Sequence, residues 1–158
     1  MYKRQALDHG LYVVVRPPGV CPGGIKVDGY YQDYLLKVWD IVSSNTNIKK
    51  HSGQVSIELA NEPVNIYDAD SLESARAPYD FFQPIVDKIR ANGFDGIIWV
   101  PGTGWQSNYT CYKSNPIEGY NIGYAVHAYV GWYNNSDENA NGETFIQEFG
   151  KAVPCLLY

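Results

Sequence analysis

The sequence predicts an α/β fold, part of a (β/α)8 TIM barrel, on three observations. Short β-branched runs alternate with amphipathic helical stretches, and the runs are apolar on both faces, the pattern of a parallel sheet wrapped by helices. Polar residues of chemical interest stand at the C-terminal ends of the runs, where a barrel builds its active site. The 158 residues fall short of the roughly 250 that such a barrel typically needs.

Each element follows from local pattern. Residues 11–16 (Leu-Tyr-Val-Val-Val-Arg) come after Gly10 and are stopped by Pro17-Pro18-Gly19, which predicts a buried strand. A Pro/Gly-rich loop leads to Gly29, and residues 30–44 then carry Leu35, Leu36, Val38, Trp39 and Val42 at helical spacing. Residues 55–61 read as the second strand, with Ile57 and Leu59 on one face and Ser56, Glu58, Ala60 and Glu62 on the other. A second helix is predicted over 78–91, with Pro78 near its start, Phe81, Phe82, Ile85, Val86 and Ile89 in register, and Gly93 past its end. Pro84 either bends this helix or marks its first turn. Residues 96–101 and 122–129 are the third and fourth strands, and 107–120 show no helical period.

Composition narrows the function. The aromatic share of 15%, with 14 Tyr and 4 Trp, belongs to a packed globular chain and not to a disordered one. Twelve basic residues against 17 acidic ones leave a net charge of −5 with no basic run, which argues against nucleic acid or an anionic membrane as partner. No apolar stretch approaches the roughly 20 residues of a membrane helix, and no targeting signal is visible. Cys21, Cys111 and Cys155 fall in no CxxC spacing, so neither a zinc site nor a disulfide framework is supported. No phosphate-cradling glycine motif is present. No cofactor or metal is expected, and a neutral or polar substrate fits best.

The two ends carry a second pattern. Met1-Tyr2-Lys3-Arg4-Gln5 is what ATG-TAT-AAG-AGA-CAG encodes, a string resembling the transposase adaptor used to fragment DNA for sequencing. Its reverse complement in a shifted frame, TGT-CTC-TTA-TAC, encodes Cys-Leu-Leu-Tyr, and the chain ends Cys155-Leu156-Leu157-Tyr158. Residues 1–5 and 155–158 are therefore expected to be adaptor-derived, with 6–154 an internal piece of a longer barrel.

The run Glu58-Leu59-Ala60-Asn61-Glu62-Pro63 resembles the fourth-strand motif of glycoside hydrolase family 5, the retaining family that includes many endoglucanases. Three further blocks agree in order: 11–16 with the third strand, 97–106 (with Gly-Thr-Gly-Trp) with the fifth, and 124–129 (ending His-x-Tyr) with the sixth. The resemblance spans nearly all of 6–130, roughly strands 3 to 6 with their helices and possibly strand 7. It implies a secreted, extracellular or periplasmic, monomeric parent that cleaves β-1,4-glucan, with other β-glycans (xyloglucan, mannan, xylan) as alternatives. The alternative from a different class is that the chain alone is a catalytically inert sugar-binding fragment.

Retaining hydrolysis needs two carboxyls about 5 to 5.5 Å apart, one held protonated to donate to the leaving oxygen, the other a nucleophile. The resemblance implies that Glu62 is the acid/base and that Asn61 hydrogen-bonds the sugar 2-hydroxyl. It also implies that His127 and Tyr129 line the cleaved-sugar site; the other reading of His127 is a satisfied core histidine. Aromatic faces suit sugar rings, which makes Trp105 the first platform candidate, with Trp132 and Tyr133 next. Trp39 and Trp99 read as core. Arg16 reaches either a substrate or acidic partner, or a structural ion pair. Glu58 reads as a buried structural carboxylate whose partner the sequence does not identify.

Two features depart from the family pattern. Many members place Asp-x-His on the third strand, where this chain has Arg16-Pro17-Pro18, and this leaves the polysaccharide open. Phe145-Ile146-Gln147-Glu148-Phe149-Gly150 looks like the seventh-strand motif that carries the nucleophile. Only 18 residues separate Tyr129 from Glu148, too few for a crossover helix. The alternative is a helix over 142–153, with the nucleophile beyond this chain. A barrel with missing strands has open edges, so poor solubility is expected of the chain alone.

Overall fold

The computed structural model describes residues 2–17, 29–63, 72–127, 142–144 and 146–147. In chain order these form α1 (Tyr2–Asp8), β1 (Val13–Val15), α2 (Gly29–Ser44), α3 (Thr46–Lys50), β2 (Val55–Glu58), α4 (Leu72–Ala91), β3 (Ile98–Pro101) and β4 (Ile122–Ala125). The strands pair in the order β1-β2-β3-β4, all parallel, each reached from the last by a crossover. The predicted alternation of strands and helices is the observed one.

Helix and sheet meet in one apolar layer. Leu35 and Trp39 of α2 and Phe82, Ile85 and Ile89 of α4 are fully buried, in one cluster with Val15, Ile57, Ile98 and Val100 from the strands. Burying a side chain of this size contributes about 1.5–3 kcal/mol. Trp39 also ties the layers by a hydrogen bond, its Nε1 donating to the Leu59 carbonyl at 2.9 Å. That bond holds the end of β2 three residues before Glu62.

Register decides which side chains share the other face. Glu58 lies beside Trp99, and Trp99 beside Gly123, so alternation puts Glu58, Trp99, Gly123 and His127 on the same side. The Trp99 indole crosses Gly123 so closely that any side chain there would collide with it.

Two expectations change, and one element is new. The helix predicted over 78–91 begins at Leu72, so Pro78 and Pro84 are both interior. Pro84 has no N–H to donate to the carbonyl four residues back. Gln32 of α2 supplies donors instead, its Nε2 lying 3.2 Å from the Asp80 carbonyl and 2.7 Å from that of Phe81. Second, the outer strands are not buried on both faces: Tyr12 and Val14 are 82% and 53% exposed, and β4 is half-buried throughout. Both are edge strands of the sheet the described residues form, and Val14, Ser56 and Trp99 line an open cavity of about 470 Å3. Trp99 is accordingly half-buried on this open face, not part of the helix-packed core. The new element, α3, carries no periodic signal. Its five residues are started by Asn45, whose Oδ1 accepts from the N–H groups of Asn47 and Ile48.

Candidate active site

The site lies where β2, β3 and β4 end. After β2 the chain runs through Leu59 and Ala60, both fully buried, to Asn61 and Glu62. Glu62 has a backbone φ of +48°, a left-handed angle uncommon outside glycine. After β3, Thr103–Gln106 forms a tight turn in which Gly104, Trp105 and Gln106 are all left-handed. Gly102, at its start, lies against the Asn108 carbonyl and the Tyr109 ring and has no room for a side chain. The turn sends Trp105 outward, 48% exposed, and Gln106 inward, fully buried.

Two side chains, Gln106 and His127, converge on Glu62 and tie it to Glu58. Its backbone N–H donates to Gln106 Oε1 at 2.6 Å. Its carboxyl Oε1 lies 2.8 Å from Nδ1 of His127, and Nε2 of the same ring lies 3.5 Å from Glu58 Oε1. Gln106 Nε2 donates to Glu58 Oε1 and to the Ala125 carbonyl, each at 3.0 Å. The imidazole thus stands between two carboxyls, Glu58 at the end of β2 and Glu62 four residues on in the turn that follows.

Behind the site, Tyr109 donates to the Ala125 carbonyl and Tyr112 to that of Pro101 at 2.9 Å. Both phenols are buried, and burial pushes their ionisation upward, which keeps them neutral donors. At the edge, Arg16 Nη1 donates to Asn61 Oδ1 at 2.6 Å. That contact fixes the Asn61 amide with its N–H2 end away from the guanidinium.

The predicted residues fare differently. Glu62, His127, Asn61 and Arg16 come together at the strand ends. Among the described residues Arg16 does so through an amide oxygen, not an acidic group. The buried Glu58 has its missing partners in Gln106 and His127. Trp105 is exposed beside these groups. Tyr129, Trp132, Tyr133 and Glu148 lie outside the described residues. In the stretch with two readings, residues 142–144 and 146–147 are helical. Gln106 escapes the sequence reading; the one signal for it is the close Gly102-x-Gly104 pair after a strand, which marks an unusual turn.

The family model for cellulase, glycosyl hydrolase family 5, matches residues 4–153. The chain belongs to glycosyl hydrolase family 5. Its curated family relatives include an endoglucanase of Bacillus sp. (strain KSM-635), 31% identical over 133 residues that make up 80% of this chain and 14% of the relative. An endoglucanase of Halalkalibacter akibai is 27% identical over 162 residues, 97% of this chain and 19% of the relative. Among solved structures, the β-glucanase SdGluc5_26A from Saccharophagus degradans superposes with a TM-score of 0.71 at 21% identity, covering 97% of this chain and 47% of that one. The catalytic domain of Thermobifida fusca endoglucanase Cel5A gives 0.66 at 23% identity, with 96% and 46% covered. The fold is therefore a family 5 α/β barrel in part: the chain spans about half the length of these solved structures and under a fifth of the curated relatives.

Proposed function

We propose that this chain carries the acid/base half of a retaining glycoside hydrolase acting on β-1,4-glucan. The observation that carries the reading is the Glu62 carboxyl 2.8 Å from His127 Nδ1, at the C-terminal ends of parallel strands in a family 5 chain. In the first step Glu62 gives its proton to the glycosidic oxygen as the bond from that oxygen to the anomeric carbon breaks, and a second carboxylate attacks that carbon. In the second step the Glu62 carboxylate takes a proton from water as the water displaces the enzyme carboxylate. His127 Nδ1–H is suited to hold Glu62 in its deprotonated stage. Asn61, its oxygen engaged by Arg16, has its amide N–H2 to donate to the sugar 2-hydroxyl, and Trp105 offers a ring face.

The second carboxylate is either Glu148 or a residue in the part of the barrel that the solved family structures have and this chain does not span. A β-glucan oligosaccharide is the substrate class this reading takes, in keeping with the structure of XacCel5A in complex with cellopentaose. The coverage of about half a barrel favours a second reading for the chain by itself, sugar binding without turnover. Hydrolysis of an aryl β-cellobioside separates the two. Turnover by the chain that Glu148→Gln abolishes without unfolding assigns Glu148 as nucleophile; no turnover by a folded chain supports the binding fragment. In the full-length enzyme, a 2-fluoro glycoside is expected to label a Glu or Asp, and absence of any label would remove the retaining mechanism.

A further inference from the structure

We infer that Gln106 is a positioning residue for the Glu62 acid/base, locking the backbone of Glu62, the end of β4 and Glu58 into one arrangement. The inference rests on the acid/base reading of Glu62. The chemistry of its neighbours fixes the Gln106 amide without ambiguity. The Glu62 backbone N–H can only donate, so the atom 2.6 Å from it is Oε1. The Ala125 carbonyl can only accept, so the atom 3.0 Å from it is Nε2, which also donates to Glu58 Oε1. The main-chain carbonyl of Gln106 accepts from the His127 N–H at 3.1 Å.

These four bonds involve residues from the ends of β2 and β4 and use both amide hydrogens. Gln106 has no exposed surface with which to touch a sugar, which distinguishes positioning from substrate binding. Glu62 and Gln106 both hold left-handed backbone angles, φ +48° and +57°, and such angles persist in non-glycine residues where the surroundings over-determine them. The Gln106 Oε1 bond to the Glu62 N–H is such a constraint. Without it the Glu62 backbone is free to relax, and the carboxyl moves off the leaving oxygen.

The test compares Gln106→Leu and Glu62→Gln in the full-length enzyme on phenyl and dinitrophenyl β-cellobiosides. Dinitrophenolate departs without a proton, whereas phenolate needs one from the acid. For Gln106→Leu, kcat/KM on the phenyl substrate is expected to fall about 100-fold and on the dinitrophenyl substrate less than about 5-fold. Equal losses on both, or no loss, overturn the positioning role. If Glu62→Gln itself lacks leaving-group dependence, the acid/base reading fails and the inference falls with it; if only Gln106→Leu lacks it, the inference alone fails.

Gln106→Glu covers the case in which the leucine variant does not fold. It keeps an acceptor for the Glu62 N–H but sets its other oxygen against Glu58 Oε1 and the Ala125 carbonyl, where it needs a proton to donate. Activity on the phenyl substrate is expected to survive only at lower pH than in the wild type. An unchanged pH profile overturns the proposal.

Discussion

His127 Nδ1 lies 2.8 Å from Glu62 Oε1, a contact that joins residues 65 apart in the chain. It depends on the parallel register of three strands. Removing the imidazole leaves the carboxyl without its polar neighbour on that side. His127→Ala in the full-length enzyme is expected to lower kcat/KM on a phenyl glycoside by about 10- to 100-fold while the circular dichroism spectrum stays native. Retained activity would mean that His127 is a core residue only.

Glu58 has a different role. It is 7% exposed and receives Gln106 Nε2 at 3.0 Å, with His127 Nε2 at 3.5 Å. Glu58→Leu leaves donors buried without an acceptor and is expected to cost about 1–3 kcal/mol, read from the shift in urea midpoint. Glu58→Gln keeps an acceptor oxygen and is expected to cost less. A larger loss for glutamine than for leucine would contradict this assignment.

Trp39 joins α2 to the strand that delivers Glu62. Trp39→Ala removes a fully buried ring and the bond to the Leu59 carbonyl, with an expected loss of about 3–5 kcal/mol. Trp39→Phe keeps most of the packing but leaves that carbonyl unpaired by the indole, with an expected loss of about 1–3 kcal/mol. Denaturant unfolding of the two variants checks the order.

Alkaline pH acts on the aromatic layer. Burial pushes the Cys111 thiol from 9.0 up to about 11 and the Tyr31 phenol from 10.0 up to about 12, and raises Tyr109, Tyr112 and Tyr124 as well. The folded state therefore keeps protons that the unfolded chain gives up. Stability is fully present below the unfolded value of 9.0 and falls as pH rises through the window to about 11 and 12. A urea midpoint that drops above this threshold is the expected result, and one that rises would contradict it. Iodoacetamide is expected to alkylate Cys111 far more slowly in the folded than in the unfolded chain near neutral pH.

Much of the fold and site is legible in the residues themselves. Trp39 and Leu35 announce α2 by their spacing, and strand alternation by itself sets Ser56 and Glu58 on one face, whereas Glu62 lies past the end of β2 in a left-handed turn. The Asn-Glu-Pro run and the His-x-Tyr run locate both halves of the Glu62–His127 contact. Other features depend on contacts distant in sequence. Pro78 reads as a first turn because proline favours that position, yet α4 starts six residues earlier, and Gln32, on another helix, covers the carbonyl that Pro84 leaves. Gln106 sits in a turn with no period, and three left-handed residues in a row are an arrangement that side-chain pattern does not encode.

Azide rescue distinguishes the proposed role of Glu62 as acid/base from any other. In the full-length enzyme carrying Glu62→Ala, a dinitrophenyl β-cellobioside still forms the glycosyl-enzyme, but water lacks a base to activate it. Azide needs none and fits the space left by the carboxyl. Azide is expected to restore turnover and to give the β-cellobiosyl azide, in which azide has displaced the enzyme carboxylate from the face the leaving group occupied. No rescue, or an α-cellobiosyl azide, would contradict that role.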